Sequence, residues 1–181
     1  MDRYVLFIIS RKKNLSNTNI HLVVSICHNL INRYFCNTNP IMECNMLDIT
    51  NFSSLIYVAK KQPQPQKFLV AFIEVCLPKH HKTSQTKEYL AGTGGVLKPI
   101  QLVETEPEQL NDLNSFAKES LTDHRNWRIA LIGCFSGENG TLPSSDITKK
   151  HKATMIQQIK SGIGLSQYIA FHRNGDLLQM Y

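Results

Sequence analysis

An almost unbroken apolar run decides the fold: Arg128-Ile129-Ala130-Leu131-Ile132-Gly133-Cys134-Phe135. A run of this length and composition is typical of a strand that is buried on both faces of a sheet. The glycine-containing segment Ser136-Gly137-Glu138-Asn139-Gly140 then interrupts it. The sequence therefore predicts a central strand over residues 128–135, followed by a loop.

A helix and a hairpin are expected after this loop. Ser144 or Ser145 can cap the helix, Asp146 suits its first turn, and Gly162 offers a stop. Four apolar residues fall roughly on one helical face: Ile147, Met155, Ile156 and Ile159. Residues 167–173 and 176–181 then flank Asn174-Gly175, the dipeptide best able to adopt the positive φ angles of a two-residue turn. The chain should therefore end in a β-hairpin.

Two further strands are predicted upstream. Residues 67–77 form the second buried run, ended by Pro78, and residues 96–103 form a strand that tolerates Pro99 only near an edge or at its start. Between them, the polar segment near residues 85–90 suggests a helix, and residues 91–95 suggest a mobile loop.

Two more helices are predicted from apolar spacing. The first follows the capping segment 48–51 and has apolar residues at i, i+3, i+4 and i+7, although a strand is the weaker alternative: Phe52, Leu55, Ile56 and Ala59. The second starts near Thr105, Pro107 and Glu108 and carries its own apolar stripe: Leu110, Leu113, Phe116, Ala117 and Leu121. This order of elements predicts an α/β fold, with a single mixed β-sheet of about four to five strands flanked by helices and ending in a C-terminal β-hairpin.

The N-terminal quarter differs in composition from the rest. Residues 1–45 contain no glycine, three of the five cysteines and one helically spaced apolar stripe over residues 20–34. We expect an N-terminal extension over residues 1–45, either lineage-specific or translated from a start assigned too far upstream. Residues 46–181 should form one compact domain.

Composition favours a cytoplasmic protein. The apolar segment at residues 4–9 is too short for a signal peptide, and its basic residues follow it instead of preceding it. No apolar run reaches the roughly 18 residues that a membrane span requires. Five cysteines without a C-x-x-C pair fit reduced thiols better than a disulfide framework. The net charge of +6 is spread along the chain, which does not favour a nucleic-acid partner.

The loop over residues 133–141 is the candidate ligand-binding segment. Gly137, Gly140 and Thr141 lie between a strand and a helix whose free amides could hold an anion, and Lys149 or Lys150 lies nearby. The Gly-Lys-Ser/Thr ending of a P-loop is missing, so a plain turn is the competing interpretation. We assign Gly137, Gly140, Thr141 and Lys149 as candidate residues for a nucleotide or phosphate ligand.

No catalytic set, metal site or cofactor is predicted. Cys134 with His124 or His151 could form a thiol and base, but Cys134 lies inside an apolar run, which favours a structural thiol. No cysteine and histidine ligands have the spacing of a zinc site.

The order of motifs over residues 46–181 resembles a family of small proteobacterial proteins that often carry the label "ribonucleotide reductase subunit alpha". The resemblance rests on Gln62-Pro63-Gln64-Pro65-Gln66, Leu77-Pro78, Ala91-Gly92-Thr93-Gly94-Gly95, Glu106-Pro107-Glu108-Gln109-Leu110, Pro143-Ser144-Ser145 and Phe171-His172-Arg173-Asn174-Gly175. The label implies a reductase role. However, a catalytic subunit needs a radical cysteine, a further pair of thiols and a large barrel, whereas the matching region contains only Cys76 and Cys134.

These observations favour a protein-interaction or accessory module without catalytic activity. An unidentified partner protein is expected, or a second copy of the chain, bound through the edge of the C-terminal hairpin. The alternatives are a small nucleotide- or phosphate-binding protein that uses residues 133–141, and an accessory factor to ribonucleotide reductase.

Overall fold

The computed structural model describes residues 5–6, 49–122, 126–178 and 180. The strands are β1 (Val5–Leu6), β2 (Gln66–Cys76), β3 (Gly94–Thr105), β4 (Trp127–Ser136), β5 (Ile169–His172) and β6 (Leu177–Leu178). The helices are α1 (Phe52–Lys60), α2 (Thr83–Leu90), α3 (Leu113–Ser120) and α4 (Ser145–Ser161), with 3-10 turns at Pro107–Gln109 and Leu165–Gln167.

The strands form one open sheet in the order β3-β2-β4-β5-β6, and the two-residue β1 extends it beside β3. The predicted α/β fold with a single sheet, flanking helices and a C-terminal hairpin is confirmed. The expected mixture of strand directions is wrong, because every strand pair in the described residues is antiparallel. The apolar pattern of a strand carries no information about the direction of its neighbours.

The sheet is buried on both faces. Along β2, Phe68, Val70 and Phe72 pack with α1 and α3 on one face. The alternate residues, Leu69 and Ala71 among them, pack against α4 on the other face. This double burial explains why the sequences of β2 and β4 are continuous apolar runs and do not alternate with polar residues.

Helix α4 has the predicted termini. The Ser144 hydroxyl accepts a hydrogen bond from the amide of Ile147, and Gly162 ends the helix in the left-handed region at φ 69°. Met155 and Ile159 are buried against the sheet as expected. Ile147, however, is 48% exposed, because it lies on a different side of the helix.

The two helices on the other face begin at side-chain caps. Asn51 accepts the amide hydrogen of Ser54 at 2.9 Å, which confirms helix α1 over the alternative strand. The expected helix start at residues 105–108 is wrong, because a 3-10 turn intervenes and Asp112 caps α3 through the amides of Asn114 and Ser115.

Two turns depart from expectation in detail. The C-terminal hairpin has a three-residue turn, because Phe171 pairs with Leu177 and the amide of His172 donates to the carbonyl of Asp176 at 2.8 Å. Within this turn, Gly175 adopts φ 88°, whereas Asn174 does not take a positive φ. The Asn174 Oδ1 atom instead accepts a hydrogen bond from the amide of Asp176 at 3.2 Å, which favours a different local conformation. In β3, Pro99 is accommodated at a β-bulge next to its pairing with β2, and Gly94 and Gly95 belong to the strand, not to a mobile loop.

The proposed division of the chain at residue 45 is a prediction that the structure does not test. The helix expected over residues 20–34 lies outside the described residues, as does His124. Of residues 1–45, only Val5–Leu6 are described, where they pair with Gly95 and Gly94 of β3.

Candidate functional site

A cleft lies beside the C-terminal end of β4. β5 pairs with β4 only from Ile129 to Ile132, whereas β2 pairs with β4 as far as Ser136. The cleft occupies the space next to this end, with a volume of about 490 Å³. Its lining consists of Leu69, Ile132, Gly133, Cys134, Phe135, Ile147, Lys150, His151, Thr154, Gln167, Tyr168 and Ile169.

Helix α4 forms one wall of the cleft. Ile147, Lys150, His151 and Thr154 line it at positions i, i+3, i+4 and i+7, so they share one side of the helix. The adjacent side carries the buried residues that pack on the sheet. One helix therefore anchors the fold and presents a second, more exposed stripe to the cleft.

Tyr168 forms another wall, which α4 and β4 hold in place. Its hydroxyl donates a hydrogen bond to Oε1 of Gln158 on α4. Its ring lies so close to Gly133 that a Cβ atom added there would come within 3.3 Å of the ring. Burial raises the pKa of the Tyr168 hydroxyl above its ordinary value.

An aromatic pair also lines the cleft. The rings of Phe135 on β4 and His151 on α4 stack with centroids 4.9 Å apart and planes inclined by 21°. Phe135 is buried, whereas His151 is exposed at the rim. The stacking fixes the plane of the imidazole ring and leaves its edge available to solvent or a ligand.

The lysines of α4 differ in whether they pair with an acidic residue. Lys149 forms an ion pair with Asp146 at 3.5 Å, and Lys152 forms one with Glu104 at 2.8 Å. Lys150 lies between them in sequence and points into the cleft, where no Asp or Glu belongs to the described lining. No ion pair involves Lys150 within the described part of the chain.

The residues predicted to bind an anion lie outside this cleft. The amide of Gly137 donates to the carbonyl of Pro65 at 2.9 Å, and that of Gly140 donates to Oε1 of Gln64 at 2.8 Å. The amide of Thr141 donates to the carbonyl of Glu138 at 3.0 Å, within the loop itself. These donors are therefore engaged in holding the loop, and their role in binding stays a prediction.

Lys149 likewise does not line the cleft, whereas the neighbouring Lys150 does. Sequence reasoning missed His151, Tyr168 and Thr154 as parts of one site. The helical spacing of residues 147, 150, 151 and 154 was a usable signal for the α4 wall. The approach of Tyr168 to β4 had no comparable local signal.

Cys134 and His151, considered above as a possible thiol and base, both border the cleft, but Cys134 packs with the α1 and α3 cluster on one face of the sheet, whereas His151 stacks on Phe135 on the other. The His151 ring is oriented by its stacking on Phe135. The other described cysteine, Cys76, lies away from the cleft, and burial together with nearby Glu74 raises the pKa of its thiol. The described residues contain no cluster of three metal-ligating side chains.

The hairpin edge predicted to bind a partner is short. β6 consists of Leu177–Leu178, of which Leu178 is buried, and the adjoining Asp176 is bridged by Asn51. The partner and homo-oligomer interpretations stay predictions. Among the described residues, no helix combines the length and apolar character needed to cross a membrane.

The chain matches no known family model, no curated protein and no solved structure. The resemblance to the reductase-labelled family therefore stays a prediction.

Proposed function

We propose that the protein is a binding protein that holds a small-molecule ligand in the cleft between β4 and α4. The observation that carries this proposal is the cleft itself, which combines a volume of about 490 Å³ with an apolar floor and polar groups on its rim. Sites for small molecules have volumes of roughly 300 to 1,000 Å³ and the same distribution of apolar and polar groups.

The apolar residues of the cleft floor and the polar residues of its rim would make different contacts with a ligand. Leu69 and Phe135 are buried on the face of the sheet that α4 covers and supply an apolar surface there. Lys150 and Thr154 of α4 are exposed and can contact polar groups of a ligand without a change in the core. A rigid floor lowers the entropic cost of binding, because the site need not be ordered first.

The cleft is a better candidate than the two sites expected from sequence. The amides of residues 137, 140 and 141 are hydrogen-bonded within the protein, so a phosphate there would have to displace existing bonds. The C-terminal hairpin offers an edge of only two residues, Leu177–Leu178. An accessory role for ribonucleotide reductase is supported by the resemblance alone.

A thermal-shift screen with a panel of metabolites and nucleotides tests the proposal. A ligand at a hundred times its dissociation constant should stabilise the fold by about 2.7 kcal/mol. The blocking variant is Thr154→Trp, which fills the cleft from an exposed helical position. Its matched control is Ala153→Trp, one residue away on the same helix, exposed and outside the cleft lining.

We expect a ligand to raise the melting temperature of the wild type and of Ala153→Trp, but not of Thr154→Trp. The proposal is wrong if no compound in the panel binds, or if binding survives Thr154→Trp unaltered.

A further inference from the structure

We infer that the ligand of the β4–α4 cleft is a small organic anion whose uncharged part is a flat apolar ring. This inference rests on the proposed function and specifies the class of ligand. It follows from the pairing of the lysines on α4 and from the aromatic groups that line the cleft.

The lysines of α4 differ in their charge partners. Three lysines lie within the first two turns of α4, and two of them are paired with carboxylates, Lys149 with Asp146 and Lys152 with Glu104. Lys150 is the lysine of this group that lines the cleft. An anionic ligand group there would complete the pairing of the third lysine.

The groups around Lys150 favour an anion. The described lining contains no carboxylate that would compete for Lys150 or repel an anion. His151 lies on the same stripe of α4 and offers its ring nitrogens, whereas the Thr154 hydroxyl donates to the carbonyl of Lys150 at 3.0 Å. A lysine ammonium is a compact positive charge that donates hydrogen bonds to a carboxylate or a phosphate alike, so either anionic group could bind there.

The aromatic residues of the cleft favour a flat ligand. The lining includes Tyr168, whose ring lies against Gly133, and the stacked pair of Phe135 and His151. Aromatic faces and edges favour contact with a planar ring, which gains area without losing much conformational freedom. A ring over the apolar floor would place a substituent at the rim within reach of the long Lys150 side chain.

Three probes test the ring and the charge of the ligand separately in a calorimetric titration of the full chain. Naphthalene-2-carboxylate has both the ring and the charge, naphthalene-2-carboxamide has the ring alone, and inorganic phosphate has the charge alone. The variant is Lys150→Gln, and the matched control is Lys149→Gln, which removes the neighbouring lysine outside the cleft lining.

We expect the carboxylate to bind the wild type and Lys149→Gln alike, about tenfold or more tighter than the carboxamide, as an added hydrogen bond to a charged group should give. Lys150→Gln should weaken the carboxylate by about tenfold and leave the carboxamide unchanged. Inorganic phosphate should bind far more weakly than the carboxylate.

The inference is overturned if the carboxylate does not bind, if the carboxamide binds equally well, or if both lysine variants have the same effect. Phosphate binding as tight as that of the carboxylate would refute the part about the ring. In each of these cases, a different ligand whose binding is blocked by Thr154→Trp would leave the proposed function standing. A screen without any such ligand would refute the proposed function itself.

Discussion

Replacing Gly137 with alanine should destabilise the fold strongly, because no room exists for a side chain at the end of β4. A Cβ atom at this position would lie 1.6 Å from the carbonyl oxygen of Thr141 and 2.7 Å from its carbonyl carbon. Both atoms belong to the backbone, so a change of rotamer cannot relieve the contact. The loop or the strand end must move.

The expected magnitude follows from the bonds that such a movement disturbs. Overpacking costs typically about 1 to 3 kcal/mol and occasionally more. The amide of Gly137 also donates to the carbonyl of Pro65 at 2.9 Å, and the amide of Thr141 to that of Glu138 at 3.0 Å. Losing one such bond adds about 1 kcal/mol. We therefore expect Gly137→Ala to lower the free energy of unfolding by about 3 kcal/mol or more.

Gly140→Ala is the matched control in the same loop. Gly140 adopts φ 74°, yet no atom lies within 4 Å of the position of an added Cβ. The cost there is the left-handed conformation alone, about 1 to 2 kcal/mol. Urea denaturation and thermal melting measure both variants, with about 2 to 4 °C expected per kcal/mol for a domain of this size. Equal losses in the two variants would refute the argument from backbone contact.

Three further predictions concern the sheet and α4. The raised pKa of Tyr168 means that the folded protein holds the phenol proton more tightly than the unfolded chain. This stability is complete below the unfolded pKa of about 10 and is lost as the pH rises through the folded pKa. Tyr168→Phe should therefore lose less stability than the wild type when denaturation is compared at about pH 8 and about pH 11. Met155→Ala should cost about 2 to 5 kcal/mol in urea denaturation, because Met155 is fully buried, whereas Ile147→Ala on the same helix should cost clearly less. Glu104→Gln removes the ion pairs of Glu104 with Lys152 at 2.8 Å and with Lys67 at 3.9 Å. Because Glu104 is 34% exposed and Lys152 37%, we expect the free energy of unfolding to fall by about 1 kcal/mol, and by less in high salt.

The positions of the central strands could be predicted because a strand that is buried on both faces has apolar residues at nearly every position. The expected ranges 67–77 and 128–135 differ by one residue at each end from Gln66–Cys76 and Trp127–Ser136. The ends of helix α4 could also be predicted, because Ser144 caps its start and Gly162 ends it. These elements are specified by residues that are close in sequence.

Strand direction and the details of two turns could not be predicted in this way. β2 is flanked by β3 and β4, both antiparallel to it, and nothing in the apolar pattern of β2 states which neighbours it has. Asp112 and Asn174 show the second difficulty. Asp112 accepts a hydrogen bond from the amide of Ser115 and so sets the start of α3, and Asn174 accepts one from the amide of Asp176 within the hairpin turn. Such local side-chain bonds compete with the helix and turn patterns of the residues around them.

The cleft depends on both kinds of information, which explains why its position was missed although its parts are visible in the sequence. The pairing of Lys149 with Asp146 is an i, i+3 contact and could be anticipated on a helix. The pairing of Lys152 with Glu104 requires knowing that α4 crosses β3, which no local pattern states. Only when both lysines have been assigned does Lys150 stand out as the cation that faces the cleft. Which of these adjacent lysines is available to a ligand therefore depends on which of the others pair with carboxylates. Those pairings are set by the tertiary fold.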